Sequence, residues 1–254
     1  MLLGVLCLST ALMAEEPPIV QETVRVTNGE WPPFLGENLK YYGLASRVVT
    51  EAFALKGIKV EYGFFPWKRA YMMAEAGEWD GSAVWTLTSE REKSFYWSNP
   101  VPSDVGVIFH LKTLKFDWKS AEDLKAFRMG VTAEYTYGKE IDEAIKAGKI
   151  QTDLVTSDEQ NFQKLLLGRV DLFPVGKDVG LSMTRRLFTP QERQLITYHP
   201  KIYYESPLRL LLSRKVARNQ RLMELFNEGL KQLQDSGKVD QYLLESRRGD
   251  YDQK

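Results

Sequence analysis

Hydrophobic positions switch between the period of a strand and the period of a helix along nearly the whole chain. Residues 24–27 form a short β-branched run closed by a Gly-Glu-Trp-Pro-Pro turn. Leu44, Val48, Val49, Ala52 and Phe53 then recur at helical spacing. Residues 60–64 alternate as a strand does. Pro66 suits the first position of the next helix, and Gly77 suits its end. Residues 82–86 and 105–111 read as buried strands. A second series begins at Ser120, where Ser-Ala-Glu-Asp predicts a helix start. It continues with a strand over Arg128–Thr132, a helix over Lys139–Lys146 and a strand over Gln151–Val155. Ser157, Asp158, Glu159 and Gln160 make a capping box for a helix ending at Gly168. Residues 170–175 and 208–213 are further strands. Residues 219–234 form an amphipathic helix with Leu222, Leu225, Phe226, Leu230 and Leu233 on one face. Such alternation predicts an α/β protein with mostly parallel sheets. Two similar series predict two lobes, with a ligand cleft between them.

The most informative stretch is residues 80–100. A buried strand ending near Thr86 feeds a predicted helix start at Thr88 and Ser89 that carries Arg91, and then a Ser-Asn-Pro exit. A helix N-terminus and an arginine fork both favour a planar anion, so this stretch predicts a carboxylate site.

Composition narrows the field. The 254-residue chain has formal net charge 0 and 43% hydrophobic residues. A balanced surface argues against nucleic-acid and membrane-surface partners, which require a basic face. Residues 1–14 are uncharged and mostly apolar, and end in Ala-Leu-Met-Ala ahead of Glu15. This reads as a secretory leader, too short to span a bilayer. The single cysteine, Cys7, lies in it, so the mature chain carries no disulfide into an oxidising compartment.

The sequence has no Gly-x-Ser-x-Gly, His-Glu-x-x-His, P-loop or Gly-x-Gly-x-x-Gly signature. Its two histidines, His110 and His199, read as packed or surface residues, and no metal cluster is visible. Neither a cofactor nor a metal is expected, and recognition is favoured over catalysis. Trp31, Trp67, Trp85, Tyr135 and Tyr137 all fall at strand-to-helix junctions, the edge that faces ligands in open α/β sheets. For any one of them core packing is the alternative. Trp31 and Trp67, each beside proline, are the better candidates for flat walls that attract an ammonium. Arg69 lies two residues past Trp67 and is a candidate or a solvated helix residue; Arg91 converges with Thr86.

Several segments together resemble a known family. WPPF at 31–34, Gly77-Glu78-Trp79-Asp80, TSER at 88–91, YWSNP at 96–100, GVTAEYTYG at 130–138 and LLLGRVD at 165–171 resemble the polar amino-acid type of periplasmic solute-binding proteins, extracellular solute-binding family 3. The resemblance implies a two-lobed periplasmic binding protein fold of type II that closes as a hinge. Lobe one would take 20–102 and 206–254, and lobe two 103–205. It also implies that Arg91 binds a ligand carboxylate with help from Thr86, beside Trp85, and that the Val84 carbonyl meets the ligand ammonium. Trp31 and Trp67 would form the walls. Thr132, Tyr135 and Thr136 would clamp the carboxylate from the second lobe. The resemblance places an ammonium-holding acid near Asn28 or just after Val175. Asn28 is neutral and Gly176 and Lys177 follow Val175, so Asp178 is the nearest acid.

The resulting expectation is a periplasmic, monomeric solute-binding protein for an amino acid or related small carboxylate, partnered by the membrane permease of an ABC transporter. With Arg69 turned inward, an acidic or atypical amino acid is favoured. The alternatives are an enzyme on the same scaffold, similar to cyclohexadienyl dehydratases, with Glu134 or Glu205 as its acid, and a ligand-sensing partner of a membrane receptor.

Overall fold

The computed structural model describes residues 22–133 and 135–252. The expected leader with Cys7, and Glu134, lie outside the described residues. The chain opens with β1 (Thr23–Asn28), α1 (Leu44–Ala54), β2 (Lys59–Phe64), α2 (Trp67–Ala76) and β3 (Gly81–Trp85). β4 (Phe95–Trp97) and the long β5 (Asp104–Leu111) lead into the second region. There follow β6 (Arg128–Thr132), α3 (Lys139–Lys146), β7 (Gln151–Val155), α4 (Asp158–Leu166), β8 (Phe173–Gly176), α5 (Lys177–Leu187) and the short α6 (Pro190–Arg193). β9 (Ile196–Tyr198), β10 (Tyr204–Ser206), β11 (Arg209–Ser213), α7 (Asn219–Asp235) and α8 (Lys238–Arg248) complete it.

The strands sort into separate sheets. β2-β1-β3-β11-β4 form a five-stranded sheet, parallel through β2, β1 and β3, with β11 antiparallel to both β3 and β4. β5 carries β10, β8 and β9, all antiparallel to it, and β6 pairs parallel with β7. The mixed α/β fold therefore has parallel βα units, while the strands that leave and re-enter the first sheet run antiparallel. Strands β5 and β10 lie side by side, with Glu205 opposite Val105.

The sequence pattern explains most elements. The predicted face of α1 is buried at Leu44, Val48, Val49, Ala52 and Phe53. Ser157 caps α4 by accepting from the Gln160 N–H. Ser120 and Asp123 form a capping box, but the segment they start is a 3₁₀ helix, Ala121–Ala126. The helix expected at Thr88 is only a 3₁₀ turn over Arg91–Lys93. Three residues align too few peptide dipoles for a helix-terminus anion site, so an anion there depends on Arg91 alone. Asp80 serves the fold. It accepts the Arg25 N–H at 2.8 Å and is forked by Arg218 at 2.8 and 2.9 Å, which ties β3 to the start of α7.

Gly229 shows how tightly α1 and α7 pack. It sits in mid-helix, where a β-carbon would collide with the carbonyl oxygen of Ala52. On helix propensity alone, Gly229→Ala would stabilise by up to about 1 kcal/mol. The collision instead predicts a net loss of about 1–3 kcal/mol, read as a lower urea midpoint at unchanged slope. A higher midpoint would mean that the helices can part without cost.

Candidate functional site

The first wall is built at the carboxyl edge of β1 and β3. After β1 the chain turns at Gly29, whose Cα lies against the Trp67 indole: a β-carbon there would stand 2.6–2.9 Å from the ring atoms. Trp67 starts α2 and meets Trp85 edge-on, with centroids 5.1 Å apart, and Trp85 meets Tyr71 in the same way at 5.5 Å. The Trp85 Nε1–H donates to Ser82 Oγ at 2.9 Å, which fixes the indole's rotation. Over this aromatic floor lies Arg91, its guanidinium 4.7 Å from the Trp85 centroid and 5.8 Å from that of Tyr71. Arg91 donates to the Thr86 carbonyl at 3.0 Å and more weakly to the Thr86 hydroxyl at 3.5 Å. No carboxylate among the described residues lies within ion-pair distance of it. An arginine stacked on rings, held at one edge and lacking a counter-ion can receive a carboxylate. Val84 is buried just behind this wall.

The second feature is a cavity of about 200 Å³ that Trp31, from the turn after β1, shares with residues from beyond β4. Its far side gathers strand ends: Asp104 at the start of β5, Gly176 at the end of β8 and Tyr204 on β10. Tyr135, Thr136 and Tyr137 come from the loop after β6, and Asp158 from the first turn of α4. Tyr135 is 56% exposed and Thr136 also lines the cavity. Thr132 does not reach the cavity. Its hydroxyl donates to Asp158 Oδ1 at 2.6 Å and accepts from Asn161 at 3.0 Å, while its N–H donates to the Tyr137 hydroxyl at 2.6 Å. It positions Asp158 and Tyr137 instead.

Burial raises the Asp158 carboxyl above its ordinary range, against the Thr132 hydrogen bond. Burial likewise raises Tyr135, helped by the Asp158 charge, to about 12. Asp104 is also raised, first by burial and then by the charge of Asp178, with the Tyr204 hydroxyl opposing.

Three expected site residues stand elsewhere. Asn28 is fully buried; its amide donates to Ser46 Oγ at 2.9 Å and accepts the Gly29 N–H at 3.2 Å, so it anchors the turn beneath Trp67. Arg69 lies 5.3 Å from the Phe65 ring and lines an outer surface with Met72 and Glu78, apart from both the Arg91 wall and the tyrosine cavity. Helix periodicity explains this, because residue 69 lies about 200° around α2 from residue 67 at 100° per residue. Asp178 is 2% exposed and paired with Arg247 of α8 at 2.7 Å. It holds the C-terminal helix rather than a ligand. Glu205 is exposed. The sequence reading missed Asp104, Asp158, Tyr203 and Tyr204. Asp104 is legible as an acid opening a mostly apolar strand, whereas the capping pattern of residues 157–160 accounts for Asp158 without any site.

Comparison with known proteins agrees with this architecture. The model of the bacterial extracellular solute-binding proteins, family 3, matches residues 24–245. The chain belongs to that family. As a family 3 protein it is a member of an extracellular or periplasmic class of solute binders. No curated protein matches it in sequence. Among solved structures, substrate-binding domain 2 of Lactococcus lactis GlnP, in an open conformation, superposes with a TM-score of 0.72 at 17% identity, covering 89% of this chain and 96% of that one. An ancestral arginine-binding protein bound to arginine gives 0.59 at 24% identity, over 88% and 97%. The ancestral amino-acid-binding protein AncCDT-1, described as a precursor of cyclohexadienyl dehydratase, gives 0.60 at 22% identity, over 88% and 94%. At these identities the likeness is one of fold: two lobes of type II.

Proposed function

We propose that this family 3 protein captures a small amino-acid-like solute in the periplasm and passes it to the permease of an ABC transporter. Residues 20–102 and 206–254 act as one lobe and 103–205 as the other. The observation that carries this reading is Arg91, stacked on Trp85 at the edge of the first sheet and free of any acid partner among the described residues. It takes the solute carboxylate, Trp31 and Trp67 supply flat walls, and Tyr135 and Thr136 come down from the second lobe as it closes. That another structural neighbour, from Streptococcus pneumoniae, is described as the second substrate binding domain of a putative amino acid ABC transporter supports the transport role.

A thermal-shift screen of the purified protein against the common amino acids, small carboxylates and amines tests this. A solute that binds only the folded state at a hundredfold excess over Kd adds about 2.7 kcal/mol of stability, a rise of several degrees. Calorimetry then gives the affinity. A panel in which nothing shifts the melting temperature would defeat the proposal. The raised carboxyl of Asp104 in the cleft favours one second reading, an acid catalyst of the dehydratase kind. Formation of product from a cyclic hydroxy acid would support it.

A further inference from the structure

A second, larger cavity lies away from the cleft. It measures about 570 Å³ and shares no lining residue with the tyrosine cavity or the Arg91 wall. That volume is in the range of small-molecule sites. β5 and β9 build its base. They run antiparallel with Leu111 opposite Ile196, and just beyond them the Lys112 N–H donates to the Leu195 carbonyl at 2.8 Å. This register brings Lys112 to the end of α6, where Arg193 and Gln194 also line the cavity. Phe109 and Ile196, 1% and 8% exposed, form an apolar floor.

Four cations line this cavity, Lys112, Arg185, Arg193 and Arg247, and no acid does. Two of them already have counter-ions. Arg185 of α5 pairs with Asp252, and its remaining donors go to the Ser246 and Arg247 carbonyls. Arg247 holds Asp178 through Nε and Nη2 at 2.7 and 3.2 Å, which leaves Nη1 as a spare donor. The side chains of Lys112 and Arg193 have no ion pair or hydrogen bond among the described residues. Neither do those of Gln194 and Thr197, which add uncharged donors to the lining. The acid on α6, Glu192, is turned to its own cap, where it accepts the Thr189 N–H and hydroxyl at 2.8 and 2.9 Å. Cations gathered over an apolar floor without counter-ions repel one another, a cost that a bound anion removes.

We propose that this cavity is a second ligand site, for a phosphomonoester. Charge and geometry select that class. The two unpaired cations match an anion that carries about −1.5 to −2 at pH 7. Three phosphate oxygens can meet Lys112 and Arg193 together with the spare edge of Arg247, and an arginine fork suits phosphate. The apolar floor accommodates the ester's organic part. The site draws Arg247 from α8 and Arg185 from α5, so a bound phosphate reinforces the attachment of the C-terminal helix.

The test is calorimetry of the full chain with inorganic phosphate, glycerol 3-phosphate and phenyl phosphate, with succinate as a dianion of different shape. The esters should bind at least about tenfold more tightly than succinate. The double variant Lys112→Gln with Arg193→Gln should weaken ester binding at least about tenfold. Since neither side chain holds a partner in the fold, its urea midpoint should stay at the wild-type value. In the wild-type protein, phenyl phosphate should raise the melting temperature, and the rise should shrink as salt is added. Vesicles of phosphatidylcholine with and without phosphatidic acid distinguish a lipid head group from a soluble ester. Selective capture by the phosphatidic acid vesicles, lost in the double variant, supports the site and assigns its phosphate to lipid. Binding of neither esters nor vesicles overturns the inference, as does ester affinity unchanged in the double variant. Succinate binding as tight as the esters overturns the phosphate assignment. Ester binding lost in Arg91→Ala but kept in the double variant places the phosphate in the cleft and overturns the second site.

Discussion

Arg247→Ala is expected to lower the unfolding free energy by about 3–5 kcal/mol and to leave solute affinity within a factor of about three, or ~0.7 kcal/mol. The reason is the asymmetry of burial across the Asp178–Arg247 pair. Asp178 is 2% exposed, whereas the Arg247 side chain keeps about a third of its surface in water, at 30%. Deleting the arginine strands a buried carboxylate with only the first turn of α5 to stabilise it. Deleting the acid leaves an arginine that water can reach, so Asp178→Ala should cost less, about 2 kcal/mol. The pair does not act alone. Arg185 donates to the terminal α8 carbonyls of Arg247 and Ser246 at 3.0 and 3.1 Å and pairs with Asp252 at 2.6 Å. On the other side Arg47 of α1 contacts Glu245 and stacks on Tyr242 at 3.7 Å. The C-terminal helix is thus fastened both to α5 and to α1. Denaturant unfolding of both variants, with calorimetry of any solute found, separates this role from a ligand role. A large affinity loss in Asp178→Ala at unchanged stability would restore Asp178 to the binding site.

The linear pattern carries local structure and not the long-range pairing of Asp178 with Arg247. Period and caps located β1, α1, α2, β6, α4 and α7 because each is a local consequence of side-chain spacing. The same pattern was blind to α8, whose buried residues are few, Tyr242 and Ser246, and whose anchoring lies in charged contacts with residues far away in sequence. The site divides in the same way. Trp67, Trp85, Thr86 and Arg91 sit close together in the chain, and they come together in space. Asp104, Asp158 and Tyr204 are far apart in sequence and meet only because β5, β8 and β10 pair side by side while α4 begins beside them. Asn28 and Asp178 are the polar residues that the sequence places nearest the expected acid positions. Register alone could not say that one side chain turns toward Ser46 and the other toward Arg247.

Arg91→Ala should weaken solute binding by about 2–5 kcal/mol, the largest affinity effect of any single truncation on the first wall. Its present contacts leave it available at little cost. The Thr86 carbonyl uses one edge of the guanidinium, and the Trp85 face holds the plane without consuming a donor. Arg91→Lys keeps the charge but loses both the planar fork and the stacking, so it should recover less than half of the loss. Lower affinity alone would not prove a carboxylate contact, because the variant also frees Trp85 to move. A cycle does: the solute and its decarboxylated analogue, each measured on the wild-type protein and on the Arg91→Ala variant. If Arg91 holds the carboxylate, removing either partner removes the same interaction, and the coupling should be about 2 kcal/mol or more. Additive losses would place the carboxylate elsewhere in the cleft and leave Arg91 as a support for the Trp85 wall.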